Sequence, residues 1–165
     1  MAVLPIVKWP DPRLRERAEP ADVDALRDVI PDMFETMYAA NGRGLAGPQV
    51  GVMARVFVMD CAWKEGEPDP RAMLNPFIMA ADHTPEEMVE GCLSIPDVPV
   101  PVSRPRAVTV QWTDETGQIH MDDFDRFEAR CIQHELDHLN GIVIFDRIAP
   151  DLREELETPY LETRA

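Results

Sequence analysis

The sequence predicts an α+β fold. Only two segments carry strong helical periodicity, residues 22–40 and 124–139, and the stretch between them reads as extended segments and a hairpin. Strands gathered between two helices, instead of alternating with them, point to a mostly antiparallel sheet packed on helices. The 165 residues match one domain, 1–165, that can bury a core without disulfides, with about 151–165 as a C-terminal tail.

After the proline-rich start "MAVLPIVKWPDP", the run "DVDALRDVIPDMFETMYAA" places Val23, Leu26, Ile30, Met33, Phe34 and Met37 at helical spacing. Asp22 can cap it, and Pro31 should either kink the helix or restart it as a first-turn proline. "NGRGLAGPQVGV" breaks the helix with four glycines ahead of the strand-like "RVFVMD". "AMLNPFIM" and "EEMVEGCLSIP" read as extended segments around the acidic loop "ADHTPE". "RAVTVQWTD" and "QIHMDDF" flank a glycine turn and should pair as a hairpin. The second helix should end at Asn140 and Gly141, followed by a last strand, "IVIFDRI". The charged tail "DLREELETPYLETRA" reads as a short helix or a frayed end.

Composition excludes several classes. The apolar fraction of 45% and charged fraction of 28% belong to a globular protein, and no apolar run is long enough to span a bilayer. The N-terminal apolar stretch is too short for a signal peptide, so a cytoplasmic protein is expected. Thirty-one acids against sixteen Lys and Arg give a net charge of −15, which disfavours direct nucleic-acid binding. Three cysteines, Cys61, Cys92 and Cys131, argue against a disulfide framework and leave each as a core thiol or a metal ligand.

"DRFEARCIQHELDH", residues 125–138, holds the most specific chemistry. His134, Glu135 and His138 form H-E-x-x-H, which on a helix turns both imidazoles to one face. Glu135 lies about 100° round the helix, where it can reach a metal-bound water without being a ligand. Two surface histidines on an acidic helix are the plainer alternative. For a third ligand the residues leave two candidates. Cys131 shares the histidine face and could equally be a small buried packing residue; Cys92 follows Gly91, where the backbone can approach a ligand closely.

Three segments resemble the signature blocks of the peptide deformylases. "GRGLAGPQ" (42–49) is similar to G-x-G-L-A-A-x-Q, "EGCLS" (90–94) matches the second block, and "QHELDH" (133–138) matches Q-H-E-x-D-H. The likeness extends through "LPIVKWPDPRLR", "MLNPFIM" and "HLNGIVIFDRI", to about residue 150. It implies antiparallel sheets around a central metal-binding helix, and Cys92, His134 and His138 as ligands of one divalent ion. Fe²⁺ is the physiological metal it implies, with Zn²⁺, Ni²⁺ or Co²⁺ able to substitute. The implied reaction removes the formyl group from the N-terminal formyl-methionine of nascent chains. Glu135 would move the proton, and Gln49 with the Leu93 backbone N–H would stabilise the oxyanion. Substrate would lie as an added strand near Gly44 and Gly91, its methionine against Met88, Phe127, Cys131 and His134. The resemblance implies formyl-methionyl peptides as partners, and a monomer with no membrane association is expected. A transient ribosome contact is compatible with it, although the short acidic tail gives no reason to place one there.

Four positions depart from the family pattern. Arg43 stands in place of a small aliphatic residue at the groove mouth. Gly47 replaces the second alanine of the first block and is expected to loosen that loop at little chemical cost. "DVPVPVSR" lacks the arginine common at position 99 or 100, and Arg126 replaces a common glycine. None is a metal ligand, so altered substrate preference is the natural alternative to ordinary deformylation. A non-catalytic peptide-binding relative is a further one. An unrelated H-E-x-x-H protease would leave "EGCLS" unexplained.

Overall fold

The computed structural model describes residues 2–164. Its first α-helical turn, α1 (Val23–Leu26), is capped by Asp22, whose carboxylate accepts the amides of Asp24 and Ala25. The chain then restarts as α2 (Val29–Ala39), with Pro31 in the first turn, where its missing N–H costs no helical hydrogen bond. Ile30, Met33 and Met37 form the buried stripe of α2.

Seven strands follow: β1 (Gly44–Ala46), β2 (Val56–Met59), β3 (Arg71–Ala81), β4 (Pro85–Cys92), β5 (Ile95–Pro105), β6 (Ala107–Thr113) and β7 (Ile119–Asp125). Five make an antiparallel sheet in the order β1-β2-β3-β6-β7, and β4 pairs with β5 in a separate hairpin. β6 buries Val108, Val110 and Trp112 in strict alternation, and β2 is buried throughout. Four prolines sit within β5, a position open to them because a two-stranded sheet leaves half of each strand's donors unpaired. Gly117, at φ 89°, makes the turn between β6 and β7.

The central helix α3 (Arg126–Leu139) packs on β1, β2 and β6, its Ala129, Cys131, Ile132 and Leu139 joining Phe57, Met73 and Trp112 in one cluster. Arg126 itself adopts φ 52° at the helix start. That left-handed conformation explains why glycine suits the position, because a side chain there is strained.

One expectation changes and one alternative is decided. "IVIFDRI" forms no strand: Val143, Ile144 and Phe145 are buried, and Ile144–Arg147 coil into a 3₁₀ turn. Asp146 accepts the Val143 amide at 2.8 Å, which curls the backbone and leaves it no sheet partner. The C-terminal segment is a helix, α4 (Pro150–Arg164), anchored by buried Tyr160 against Phe145. Among the described residues, no helix is long and apolar enough to cross a membrane.

Candidate metal centre

Cys92 ends β4, and Leu93–Ser94 turn the chain into β5. This hairpin lies against α3, where His134 and His138 sit one turn apart with ring centroids 5.1 Å from each other. The potential ligand atoms of Cys92, His134 and His138 all lie within 4.8 Å of one another, and all three residues are buried. His138 Nε2 faces the Cys92 sulfur at 3.4 Å. His134 Nδ1 is held by Glu90 at 2.9 Å, which leaves Nε2 to face the site, 4.0 Å from Glu135 Oε2. Cys131 points elsewhere: its thiol donates to the carbonyl of Arg43 at 3.7 Å.

A divalent cation fits this donor set on two independent grounds. Glu135 Oε1, beside the three converging ligand residues, is buried with no hydrogen-bond partner, an arrangement a packed core avoids. In electrostatic terms, burial works against a charge on His134, yet nearby Glu135, Cys92 and Glu90 raise its pKa well above the ordinary value. The groups that favour a charge on His134 would favour a bound cation in the same way. His138 moves the other way, its pKa lowered by burial and then by His134 and Arg104, so it stays the neutral imidazole a metal needs.

Cys92, His134 and Glu135 open onto a cleft of about 480 Å³. Gln49 reaches it fully buried. Its Oε1 accepts the Ala46 amide at 2.9 Å, which turns Nε2 toward Ser94 Oγ at 3.0 Å and the Cys92 sulfur at 3.7 Å. Leu93 and Gly91 line the cleft as well. At Gly44 a Cβ would fall 2.6 Å from Glu135 Oε2 and 2.8 Å from the Cys131 sulfur, so only glycine leaves the carboxylate its place. Glu135 has its pKa raised to about 7, chiefly by burial.

Phe127 and Cys131 stand on the cleft wall, but Met88 does not; Val89, from the opposite face of β4, lies at the rim. Arg43 is at the mouth. It makes a bidentate pair with Glu65 at 2.9 Å, donates to the Cys61 carbonyl, and sits 5.4 Å over the Phe127 ring. Gly47 is not loose. A Cβ there would lie 2.5 Å from the Val52 carbonyl oxygen, so in this chain the position has no room for alanine.

Sequence reasoning overlooked a buried ionic network beneath the histidines. Glu90 accepts from Arg104 at 2.6 and 3.0 Å, from Arg130 at 2.6 Å and from His134. Arg104 and Arg147 then share Asp137. One signal was available: Arg130 lies four residues before His134, on a helix face that otherwise buries apolar or metal-facing groups.

The polypeptide deformylase family model matches residues 3–154. The chain belongs to the polypeptide deformylase family. A peptide deformylase of Afipia carboxidovorans is 43% identical over 158 residues, covering 94% of this chain and 92% of that protein. The peptide deformylase of Zymomonas mobilis is 41% identical, covering 99% and 96%. Among solved structures, the peptide deformylase of Ehrlichia chaffeensis in complex with actinonin superposes with a TM-score of 0.91 at 37% identity over the whole of both chains. That of Legionella pneumophila gives 0.90 at 36% identity, covering 99% and 96%. The antiparallel sheets around a histidine-bearing helix are therefore the family's fold.

Proposed function

We infer that this chain is a peptide deformylase, a metal-dependent hydrolase that removes the formyl group from N-terminal formyl-methionine of nascent polypeptides and releases formate. The convergence of Cys92, His134 and His138 beside Glu135, in a member of this family, carries the reading. Cys92, His134 and His138 would hold one divalent ion, Fe²⁺ in the cell. Their thiolate and imidazole donors also suit Zn²⁺, Ni²⁺ or Co²⁺. Such an ion supplies Lewis acidity, lowering the pKa of water and polarising the formyl carbonyl. Glu135 takes the proton from the attacking water and delivers it to the peptide nitrogen as the C–N bond breaks. Gln49 Nε2 and the Leu93 N–H donate to the oxygen on which charge develops. The formyl-methionyl chain lies along Gly44 and Gly91, with its side chain against Phe127 and Cys131. The protein works as a single-domain cytoplasmic monomer.

The test is formate release from formyl-Met peptides by protein loaded anaerobically with Fe²⁺, or with Ni²⁺. Turnover no greater than that of Glu135→Ala would sink the assignment. In parallel, Cys92→Ser should lose the metal while Cys131→Ser keeps it.

Arg43 favours one refinement of this reading. A cation braced at the cleft mouth should discriminate among the residues that follow formyl-Met. Replacing Arg43 with Ile should shift kcat/KM from acidic toward apolar residues by about threefold, the scale of one exposed charge contact. An unchanged ratio removes Arg43 from the specificity account.

A further inference from the structure

Resting on the deformylase reading, we propose that α4 belongs to the active-site scaffold, with Tyr160 and Glu157 as positioning residues for the Cys92–Ser94 turn. Tyr160 lies beyond the stretch matched by the family model, which ends at residue 154. It is nevertheless 4% exposed. Its hydroxyl donates to the Trp9 carbonyl at 2.6 Å, with the Ser94 carbonyl at 3.3 Å. Trp9 completes the clamp. Its backbone N–H donates to the Ser94 carbonyl at 2.9 Å, and its indole N–H donates to Glu157 at 2.7 Å. Two residues earlier, the Val7 N–H donates to the Gln49 carbonyl at 2.7 Å.

The N-terminal segment is thus stitched to both elements that carry the proposed oxyanion donors, and α4 fixes that segment from behind. Ser94 closes the circuit, because its hydroxyl meets Gln49 Nε2 while its carbonyl meets Trp9. Cys92 is two residues from the clamped carbonyl, so freedom gained at Ser94 reaches the sulfur and the Leu93 N–H directly. Donors of this kind act only when held where the charge develops, and a displaced one loses rate without losing substrate affinity.

Tyr160→Phe removes the hydroxyl and keeps the ring against Phe145. The expected result is a kcat lowered about tenfold, at the low end for an outer partner of a metal site, with KM changed less than about twofold. The thiolate-to-metal absorption of the Co²⁺-loaded protein should shift, and the Trp9 amide should exchange faster while Val110 in β6 keeps its protection. Leu161→Ala, on the same helix, should leave all five readouts unchanged. Unaltered kcat and spectrum in Tyr160→Phe, or exchange accelerated equally at Trp9 and Val110, would overturn the proposal. If the wild-type chain releases no formate, the deformylase reading falls. Cobalt absorption and Trp9 exchange then decide the positioning role alone, with unchanged values refuting it.

Discussion

Glu90→Gln should be among the most damaging single-atom changes available to this protein. The Glu90 carboxylate accepts four hydrogen bonds, two on each oxygen, from Arg104, Arg130 and His134. Glu90, Arg104 and Arg130 are all at most 6% exposed. An amide of the same shape keeps one accepting oxygen and turns an NH₂ toward guanidinium and imidazole donors. Asp137, already shared by Arg104 and Arg147, is then left as the network's only carboxylate. Breaking a buried pair from one side costs about 3–5 kcal/mol, a large share of the roughly 5–15 kcal/mol that holds a domain folded. His134 also loses the anchor on Nδ1, so metal affinity should fall about 10–100-fold. Urea unfolding of the metal-free protein and a competition titration with Zn²⁺ measure the two effects, with outward-facing Glu87→Gln as the control. The loss should depend on pH. Burial alone would raise the Glu90 pKa, but His134 and Arg104 bind the carboxylate and hold it well below its ordinary 4.5. Its contribution is therefore present above about pH 4.5 and lost as the pH falls toward the folded value, so wild type and variant should converge in acid. A loss under about 1 kcal/mol with unchanged metal affinity would refute the reasoning, since it would mean solvent reaches the network freely.

Gly44→Ala should retain metal and lose at least about 100-fold in kcat, because its Cβ displaces the Glu135 carboxylate and small misplacements of a proton-transfer group cost that much; full activity would show that Glu135 has another place to go. Arg126→Gly should stabilise the chain by about 1 kcal/mol by relieving the left-handed residue at φ 52°, and an unchanged or lower melting temperature contradicts that. In metal-free protein, Glu135→Gln should stabilise by an amount that grows with pH. The folded pKa is raised to about 7 from 4.5, so the folded state binds the extra proton in that window, and ionising Glu135 destabilises the fold as the pH rises through it. The gain should reach on the order of 3 kcal/mol by pH 8 and stay flat above, as unfolding at successive pH values will show.

How legible the molecule is from its sequence depends on how far apart the interacting groups lie. Local rules sufficed for Asp22 as a cap, the β6–β7 hairpin at Gly117 and the two histidines on one helical face, and they narrowed Pro31 to a kink or a restart. The choice between Cys92 and Cys131 was beyond local rules, because both spacings suit a ligand. It took a family likeness to raise Cys92, and the structure gives that choice a geometric basis by aiming the Cys131 thiol at a backbone carbonyl. Steric facts were hidden altogether. Gly47 reads as a loosened alanine, but the Val52 carbonyl lies beneath it; Arg126 reads as a binding-site change, but its φ of 52° is a backbone demand. The 3₁₀ turn at Ile144–Arg147 follows from a contact between Asp146 and a neighbouring amide, which hydrophobic alternation cannot report.

The same distinction explains why the site's support escaped notice while its ligands did not. A ligand set must present particular elements at particular spacings, so it leaves a compact signature. Support needs only some donor facing some acceptor, and chains meet that need with whatever the fold brings close. Arg130 reaches Glu90 across forty residues, and Tyr160 reaches Trp9 across 151. Such partners can change identity without altering a motif. Differences in rate or metal preference among members of this family should therefore concentrate in residues like Arg130 and Tyr160, outside the three blocks that define it.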